Sequence, residues 1–457
     1  MSELIPEGDL AVASNAASHL PTKGLSRGAA AWSFFEGARN PYVILITIYI
    51  FMPYFAAVVV GDPVKGQEAV AAYGQYSGWI VMATAPFLGA SIDKIGRRKG
   101  WLALVVCLMI PLMWALWFTT PDGKGLSVGM VIAIATAIGV LFSYSEVLHN
   151  SLLVRAAGLG DAHKASALAL ALGNAFALGA LVFTAWAFAL PGKVSWGWVP
   201  AAPLFGLNPA MHETDRIVAP MAATIFALGA IPLFLFTPDA PKSGVPLLQA
   251  IRTGARDLIR MVSTMKNYRD AAIFLIARMF YVDGMTAVLL FAGVYARGVM
   301  HFDALTMLFY GIILTVLAVF GGFVGGWLDS WLGAKRSVQV EIGISLIGVF
   351  AILGMSPDTI LFFWHFDPAA HAPLWNGPFF RTLLTRLTPP DQTGTFFGVY
   401  ALSGTATVWL GSFLVNLGTH LFHSQQGGFG MISILLSFGF LGLLFVRGDG
   451  RTAHERK

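Results

Sequence analysis

Ionisable side chains inside long apolar stretches are the residues of this sequence that could carry chemistry. Asp283 lies in an apolar run that begins near residue 271, and Glu146, His149 and Asn150 lie in another that begins near residue 128. A charge at bilayer depth costs about 2.5–3.5 kcal/mol on insertion scales, so such groups are functional candidates. A buried carboxyl group there can exchange protons with the bulk. Asp283 and Glu146 are therefore candidates for binding a substrate or a coupling proton.

Arg278 and Tyr281 precede Asp283 in the same stretch and join it as candidates. The five-residue separation of Arg278 and Asp283 does not place both on one helix face, so we expect each to have a partner on another helix. For Asp283, a structural ion pair between helices is the alternative to a coupling role.

The spacing of Glu146, His149 and Asn150 by three and four residues places all three on one helix face. This face suits either the lining of a polar cavity or a structural polar patch. Glu36 and Arg39 are expected to be interfacial and structural, because Asn40-Pro41 has the pattern of a helix N-cap followed by a first-turn proline.

Two further polar side chains each have two open roles. Arg381 could neutralise a substrate carboxylate or pair with a carboxylate such as Glu341. Asn174 could hydrogen-bond a substrate or a neighbouring helix.

His365, Asp367 and His371 form a cluster that prolines interrupt, so this segment is either an outer loop or a broken helix. Their spacing matches no established metal motif, and we expect no metal and no cofactor. The sequence has no Gly-x-x-x-x-Gly-Lys-Ser/Thr phosphate loop and no His-Glu-x-x-His or Gly-x-Ser-x-Gly motif. We therefore expect neither an ATP-driven pump of that kind nor an enzyme.

The composition is that of an integral membrane protein. The mean hydropathy is +0.70, and only 12% of the 457 residues are charged. The net charge is +5, but the cations recur in loops, which orientation in a bilayer explains better than binding to nucleic acid. The single cysteine, Cys107, excludes a disulfide framework.

Apolar stretches near the roughly 20 residues needed to cross a bilayer occur in two sets of six. The predicted spans are 41–60, 73–93, 100–118, 128–154, 165–190 and 217–237, then 271–296, 303–328, 338–355, 359–387, 394–420 and 428–446. We therefore predict an all-α integral membrane protein with twelve transmembrane helices in two pseudo-symmetric bundles. Lys and Arg concentrate in alternate loops, which places both termini in the cytoplasm.

The same reading predicts five regions along the chain. They are a disordered cytoplasmic tail at 1–30, a first bundle at 31–237, a cytoplasmic linker at 238–270, a second bundle at 271–446 and a basic tail at 447–457. The polar tail lacks the apolar core of a signal peptide. The linker contains a basic amphipathic helix that either lies on the inner leaflet or is a solvated tether.

Two short loops carry a repeated pattern of glycine, aspartate and basic residues. The first contains Gly89, Asp93, Gly96, Arg97 and Arg98 between two apolar runs. The second contains Gly325, Asp329, Gly333, Lys335 and Arg336, with one extra residue between the aspartate and the following glycine. Glycines permit close backbone approach, a carboxylate can pair with a cation or a helix N-terminus, and basic residues hold a turn in the cytoplasm.

These two loops resemble the signature loop between helices 2 and 3 of the Major Facilitator Superfamily (MFS). The resemblance implies two six-helix halves that bind substrate near the bilayer midplane and rock around it. The second loop lies in the second half of the chain, at the position that corresponds to the first loop in the first half.

A more specific resemblance covers nearly the whole chain. The stretch Arg278-Met-Phe-Tyr281-Val-Asp283-Gly284 looks like the Asp-Gly signature of the "unknown major facilitator" family, which is related to the autophagy-related vacuolar amino-acid effluxers of fungi. The stretches 381–407 and 32–42 resemble the same family. In the latter, Glu36 stands where the family usually has Asp, and Gly37 and Arg39 depart from its pattern.

These observations lead us to expect a secondary active transporter of a small polar solute, such as an amino-acid-like one, coupled to protons through Asp283 or Glu146. We expect a multi-pass monomer in the cell inner membrane, with the lipid bilayer, a small-molecule substrate and protons as partners and no nucleic acid. One alternative is a transporter of an amphiphile, such as a siderophore, drug or lysolipid. Another is an MFS-like sensor that moves nothing.

Overall fold

The computed structural model describes residues 24–241, 243–264, 268–354, 404 and 406–446. Its helices, labelled in chain order, are α1 (Arg27–Val59), α2 (Pro63–Ile95), α3 (Lys99–Phe118), α4 (Val128–Ser151), α5 (Gly160–Ala189), α6 (Glu213–Phe236), α7 (Leu247–Thr264), α8 (Arg269–Gly298), α9 (Ala304–Leu332), α10 (Ala334–Gly354), α11 (Leu410–Phe422) and α12 (Gln425–Leu444).

Eight of the described helices are long and apolar enough to cross a membrane, namely α1, α3, α4, α5, α6, α8, α10 and α12. Shorter apolar helices are α11 and the part of α9 from Ala304 to Ala318. The predicted span 359–387 and the first part of 394–420 lie outside the described residues. The all-helical membrane architecture is therefore observed, and the number twelve stays a prediction.

Helix α1 begins earlier than the sequence pattern indicates. Ser26 is its N-cap and accepts the N–H of Ala29 at 3.0 Å. The prediction that Asn40 caps this helix is wrong, because Asn40 and Pro41 both lie inside it. A proline inside a helix lacks an N–H donor and crowds the preceding turn, and here the helix widens into π-helical turns over Tyr42–Tyr49. Glu36 and Arg39 consequently lie well inside α1.

Contacts divide the chain into two compact units, of which the first is Met1–Phe51 with Ala83–Leu258. In this unit α1 packs against α5 and α6, and α3 packs against α4 and α6. Small residues allow the close approach: a Cβ added at Gly229 would lie 2.0 Å from the Cβ of Ala38, and one at Gly37 would lie 3.1 Å from Leu172. Such close van der Waals packing is what associates helices in lipid.

The second unit is Met52–Met82 with Ile259–Lys457. Here α12 packs against α8 and α10. A Cβ added at Gly439 would lie 2.5 Å from the Cβ of Tyr281, and one at Gly284 would lie 2.9 Å from Leu436. Helix α8 runs without a break through Asp283 and Gly284, so it holds Asp283 on a continuous, closely packed helix.

Helix α7 lies within the predicted linker 238–270 and has strongly separated polar and apolar faces. Arg252, Arg256 and Arg260 are exposed, as are Ile251 and Ile259. The boundaries of the five predicted regions stay predictions.

Candidate functional site

A cluster of four ionisable side chains lies between α1 and α4 in the first unit. We call Glu36, Arg39, Glu146 and His149 the charged cluster. Nη2 of Arg39 donates to both carboxylate oxygens of Glu36, at 2.8 and 2.7 Å. Nη1 of Arg39 lies 3.9 Å from Glu146 and donates to Oγ of Ser145 at 3.5 Å. One guanidinium therefore serves two carboxylates, a geometry that its planar fork of donors permits.

Burial differs sharply within the charged cluster. The side chains of Arg39 and His149 are 5% and 0% exposed, whereas those of Glu36 and Glu146 are 33% and 52% exposed. The guanidinium of Arg39 and the imidazole of His149 lie on the packed side of the cluster, and the carboxylates lie on its more open side.

Aromatic rings fix the buried side of the charged cluster. The imidazole of His149 stacks on the indole of Trp32, with ring centroids 4.3 Å apart, and also lies 4.8 Å from Phe35. The indole N–H of Trp32 donates to the carbonyl of His149 at 2.7 Å. The guanidinium of Arg39 lies 4.5 Å from the ring centre of Phe142, which is a cation–π geometry.

The two ring nitrogens of His149 face different groups. Nε2 lies 2.8 Å from the carbonyl oxygen of Trp32. Nδ1 lies 3.4 Å from Oε2 of Glu36, and among the described residues it is a buried nitrogen that makes no hydrogen bond. The imidazole is thus held between a main-chain carbonyl and a carboxylate.

The predicted polar face on α4 divides into two parts. His149 is fully buried against α1, while Glu146 and Asn150 are exposed. Glu146 and His149 belong to the charged cluster, whereas Asn150 makes none of the cluster's hydrogen bonds or ion pairs described above. Glu36 and Arg39 were not predicted as functional because the start of α1 was placed too late; their spacing of three residues within one helix was the available signal.

Asp283 has a specific partner in the second unit. Its side chain is 4% exposed, and its Oδ2 accepts the backbone N–H of Gly411 at 2.6 Å. Gly411 lies in the first turn of α11, and the N-cap residue Trp409 supplies no side-chain hydrogen bond there. Asp283 therefore caps α11 from a neighbouring helix, because it satisfies a main-chain N–H that the helix itself cannot.

Arg278 and Tyr281 are both buried in α8. A Cβ added at Gly404 would lie 3.3 Å from Nη1 of Arg278, and the hydroxyl of Thr407 donates to the carbonyl of Met279 at 3.0 Å. Arg278 therefore lies beside Gly404, ahead of α11, whereas Asp283 contacts the first turn of α11 itself.

The remaining candidates are resolved to different extents. Asn174 is half-buried in α5, and the neighbouring carbonyl of Gly173 accepts from Nδ2 of Asn40 at 2.7 Å. Arg381 lies outside the described residues, as does the segment that contains His365, Asp367 and His371. Among the described residues there is no group of three or more metal-ligating side chains.

The first signature loop is fastened to the chain that follows α6. Gly96 has a φ of +88°, and a Cβ added there would lie 2.1 Å from the carbonyl oxygen of Pro241. The carboxylate of Asp239 accepts the backbone N–H groups of Arg98 and Lys99, at 2.9 and 3.3 Å. Asp239 thereby caps the N-terminus of α3, a residue that the sequence pattern did not single out.

A lysine beside each signature loop makes the same type of bond in both units. Nζ of Lys99 donates to the carbonyl of Thr237 at 2.8 Å, at the end of α6. Nζ of Lys335 donates to the carbonyl of Val446 at 2.5 Å, just after α12. Gly333 has a φ of +81°, as Gly96 has a positive φ in the first loop. The two loops therefore share a glycine with positive φ and a lysine that binds a main-chain carbonyl.

Other members of the two loops have less specific surroundings. Arg97 and Arg336 are exposed. A Cβ added at Gly89 would meet Val147 at an ordinary contact distance of 3.6 Å, so close backbone approach does not require a glycine there. The side chains of Asp93 and Asp329 and the surroundings of Gly325 lie outside the described part.

Comparison with known proteins gives one family and several relatives. Residues 76–453 match the family model described as "Vacuole effluxer Atg22 like". Autophagy-related protein 22 of Saccharomyces cerevisiae is 26% identical over 200 residues, which are 41% of this chain and 38% of the yeast protein. The match thus spans well under half the length of that relative. The uncharacterized MFS-type transporter YxiO of Bacillus subtilis is 21% identical over 428 residues, covering 92% of this chain and 95% of YxiO.

The fold is shared with solved MFS transporters. The crystal structure of a D-xylose–proton symporter superposes with a TM-score of 0.62 at 15% sequence identity, covering 93% of this chain and 98% of the symporter. Identity this low shows the fold alone, and the fold is that of the superfamily which the two signature loops resemble.

Proposed function

We propose that this chain, which belongs to the family described as "Vacuole effluxer Atg22 like", is a proton-driven secondary active transporter of a small polar solute. It has the fold of the MFS transporters. It works by alternating access between two half-transporters. The observation that carries this proposal is the charged cluster inside apolar helices α1 and α4. Ionisable groups at such depth are costly and mark substrate or proton pathways.

The charged cluster has the properties that a transport site needs. Arg39 is buried and the carboxylates of Glu36 and Glu146 are partly exposed, so the carboxylates are open to a solute while aromatic rings pack against the buried side of the cluster. Arg39 can hold either carboxylate, and a side chain with two alternative partners can respond to a bound solute or proton. A small polar solute can exchange hydrogen bonds with these groups.

The relatives support this assignment at different levels. The family description names a vacuole effluxer, and the Bacillus relative is named an MFS-type transporter. The solved transporter that shares the fold is named a D-xylose–proton symporter. Our proposal includes a multi-pass monomer in the cell inner membrane with both termini in the cytoplasm. The cations in its predicted inner loops support the orientation.

Uptake into proteoliposomes tests the proposed function. Purified protein is reconstituted and supplied with labelled amino acids, short peptides and sugars, with and without an inward proton gradient. We expect one solute class to accumulate only with the gradient and only in liposomes that contain the protein. If liposomes with the protein took up no more of any solute than protein-free liposomes, with or without the gradient, transport of these classes would be contradicted.

A further inference from the structure

Helix α7 is held against the protein along one row of its residues. Side chains four positions apart in a helix lie one above another, so the residues of α7 form four rows around its axis. Ala250 and Gly254 belong to one row, and both are buried. Because this row is fixed against the protein, the directions of the other three rows are fixed as well.

The row next to the buried one is apolar and uncovered. It contains Ile251, Ala255 and Ile259, and the two isoleucines are 37% and 70% exposed. Removal of such side chains from water is favourable. This row therefore has the character of a contact surface for an apolar environment outside the protein.

The other two rows of α7 are basic and polar. The basic row lies beside the isoleucines and is exposed; it consists of Arg252, Arg256 and Arg260. The polar row follows it and contains Gln249, Thr253 and Asp257. A helix at a bilayer surface meets hydrocarbon, headgroups and water in this same order, since arginine keeps its charge at the headgroups above an apolar stem.

The chain on both sides of α7 keeps this helix close to the membrane. Helix α8, which is long and apolar enough to cross a bilayer, begins at Arg269. That residue is five Cα–Cα steps after Thr264, the end of α7, and five steps span at most about 18 Å. On the other side, Asp239 caps the N-terminus of α3, eight steps or at most about 29 Å before Leu247.

We propose that α7 binds the anionic headgroups of the lipid leaflet that borders it. Three arginines and one aspartate leave α7 with a net positive charge, and anionic headgroups attract basic helices of this kind. A soluble anion would neutralise the arginines but leave the isoleucines in water. A leaflet supplies negative charge and hydrocarbon side by side. This binding does not depend on the transported solute or on proton coupling.

Fluorescence quenching of the full chain in lipid nanodiscs tests this binding. The single cysteine, Cys107, is replaced by serine, and a fluorophore is attached at Ile251→Cys or, in a second variant, at Ile259→Cys. The nanodiscs contain phosphatidylcholine alone or mixed with anionic phosphatidylglycerol, each with some lipid that carries a doxyl quencher. We expect stronger quenching by the doxyl lipid in the anionic nanodiscs, and weaker quenching there by soluble acrylamide.

Gln249→Cys is the matched control on the same helix. Gln249 is exposed and lies two residues before Ile251, on nearly the opposite side of the helix. A fluorophore at this position should be quenched by acrylamide and not by the doxyl lipid in both kinds of nanodisc. If the fluorophores at positions 249 and 251 were quenched alike, or if the one at 251 met only acrylamide, the proposal would be overturned.

Replacement of the arginines separates headgroup binding from apolar contact alone. Each arginine near an anionic surface contributes about fivefold to the ratio of bound to detached helix. The triple variant Arg252→Gln, Arg256→Gln, Arg260→Gln should therefore lose the difference between the two lipids, whereas the corresponding triple lysine variant should keep it. Equal doxyl quenching of wild type in both lipids, or a difference that persists in the triple glutamine variant, would overturn the binding of headgroups by these arginines.

Salt distinguishes a charged lipid surface from a site for a free anion. At about 1 M sodium chloride, charges are screened over about 3 Å, so the extra quenching in anionic nanodiscs should disappear. Inorganic phosphate, compared with chloride at equal ionic strength, should have no further effect. If inorganic phosphate displaced α7 from the lipid at an ionic strength at which chloride does not, the arginines would form a phosphate site and the proposal would be wrong.

Discussion

At the scale of single residues, Asp283 and Glu36 use their carboxylates in different ways. Asp283 is buried and accepts one main-chain N–H at the start of α11, whereas Glu36 is partly exposed and is held by Arg39 beside His149. The first arrangement fixes a helix end. The second can change partners when a proton or a solute arrives.

The capping role of Asp283 predicts a difference between two substitutions. Asparagine is as good an N-cap acceptor as aspartate, and loss of a cap costs about 0.5–2 kcal/mol. We therefore expect Asp283→Asn to unfold near the wild-type temperature and Asp283→Leu to unfold at a lower one, measured by thermal unfolding in detergent. Thr286→Val, on an exposed part of α8, is the control. A large loss of stability in Asp283→Asn would contradict the cap.

The position of Arg39 between two carboxylates predicts that lysine cannot replace it. Lysine is a compact point charge without the planar fork that reaches Glu36 and Glu146 together. Arg39→Lys should fold, since it keeps the charge, but should lose most gradient-driven uptake in proteoliposomes. Uptake equal to that of wild type would show that a single positive charge is sufficient.

At the scale of helices, α1 decides whether the site can be recognised from the sequence. Asn40-Pro41 has the composition of a helix start, and only the π-helical turns that follow show how a proline fits inside the helix. Because the start of α1 was predicted too late, Glu36 and Arg39 were expected at the membrane interface, whereas they lie inside the helix. In contrast, the position of Asp283 midway along an apolar stretch was enough to predict its depth, and the side chain is buried.

Close packing of α1 on α6 predicts a stability effect at Gly229. A Cβ there would overlap the Cβ of Ala38, at 2.0 Å, and overpacking of this kind costs about 1–3 kcal/mol. Gly229→Ala should therefore lower the unfolding temperature. Gly179→Ala in α5, where a Cβ would meet nothing within 4 Å, should leave it unchanged or raise it slightly. Equal behaviour of the two variants would contradict the packing.

At the scale of the whole molecule, the repeat is the feature that the sequence shows best. Two glycine- and cation-containing loops predicted the superfamily, and the structure adds a lysine beside each loop that binds the end of the last helix in its half. The capping role of Asp239 and the stacking of His149 on Trp32 could not be predicted, because both depend on contacts between residues far apart in the chain.

The two loop lysines predict paired effects. Lys99→Met and Lys335→Met each remove a charged donor from a main-chain carbonyl, and hydrogen bonds of this kind contribute about 1.5–3 kcal/mol at most. Each variant should unfold at a lower temperature than wild type, while Arg97→Gln, at an exposed position, should not. If only Lys99→Met lowered the unfolding temperature, the two loops would be repeated in sequence but would not stabilise the protein in the same way.

Proton movement during transport tests the central claim most directly. Proteoliposomes that contain a trapped pH dye, with no imposed pH gradient, receive a solute identified by the uptake panel. The charged cluster as a coupling site predicts that solute entry changes the internal pH in wild type and leaves it unchanged in Glu36→Gln. Solute entry into wild-type proteoliposomes with no change of internal pH would contradict proton coupling.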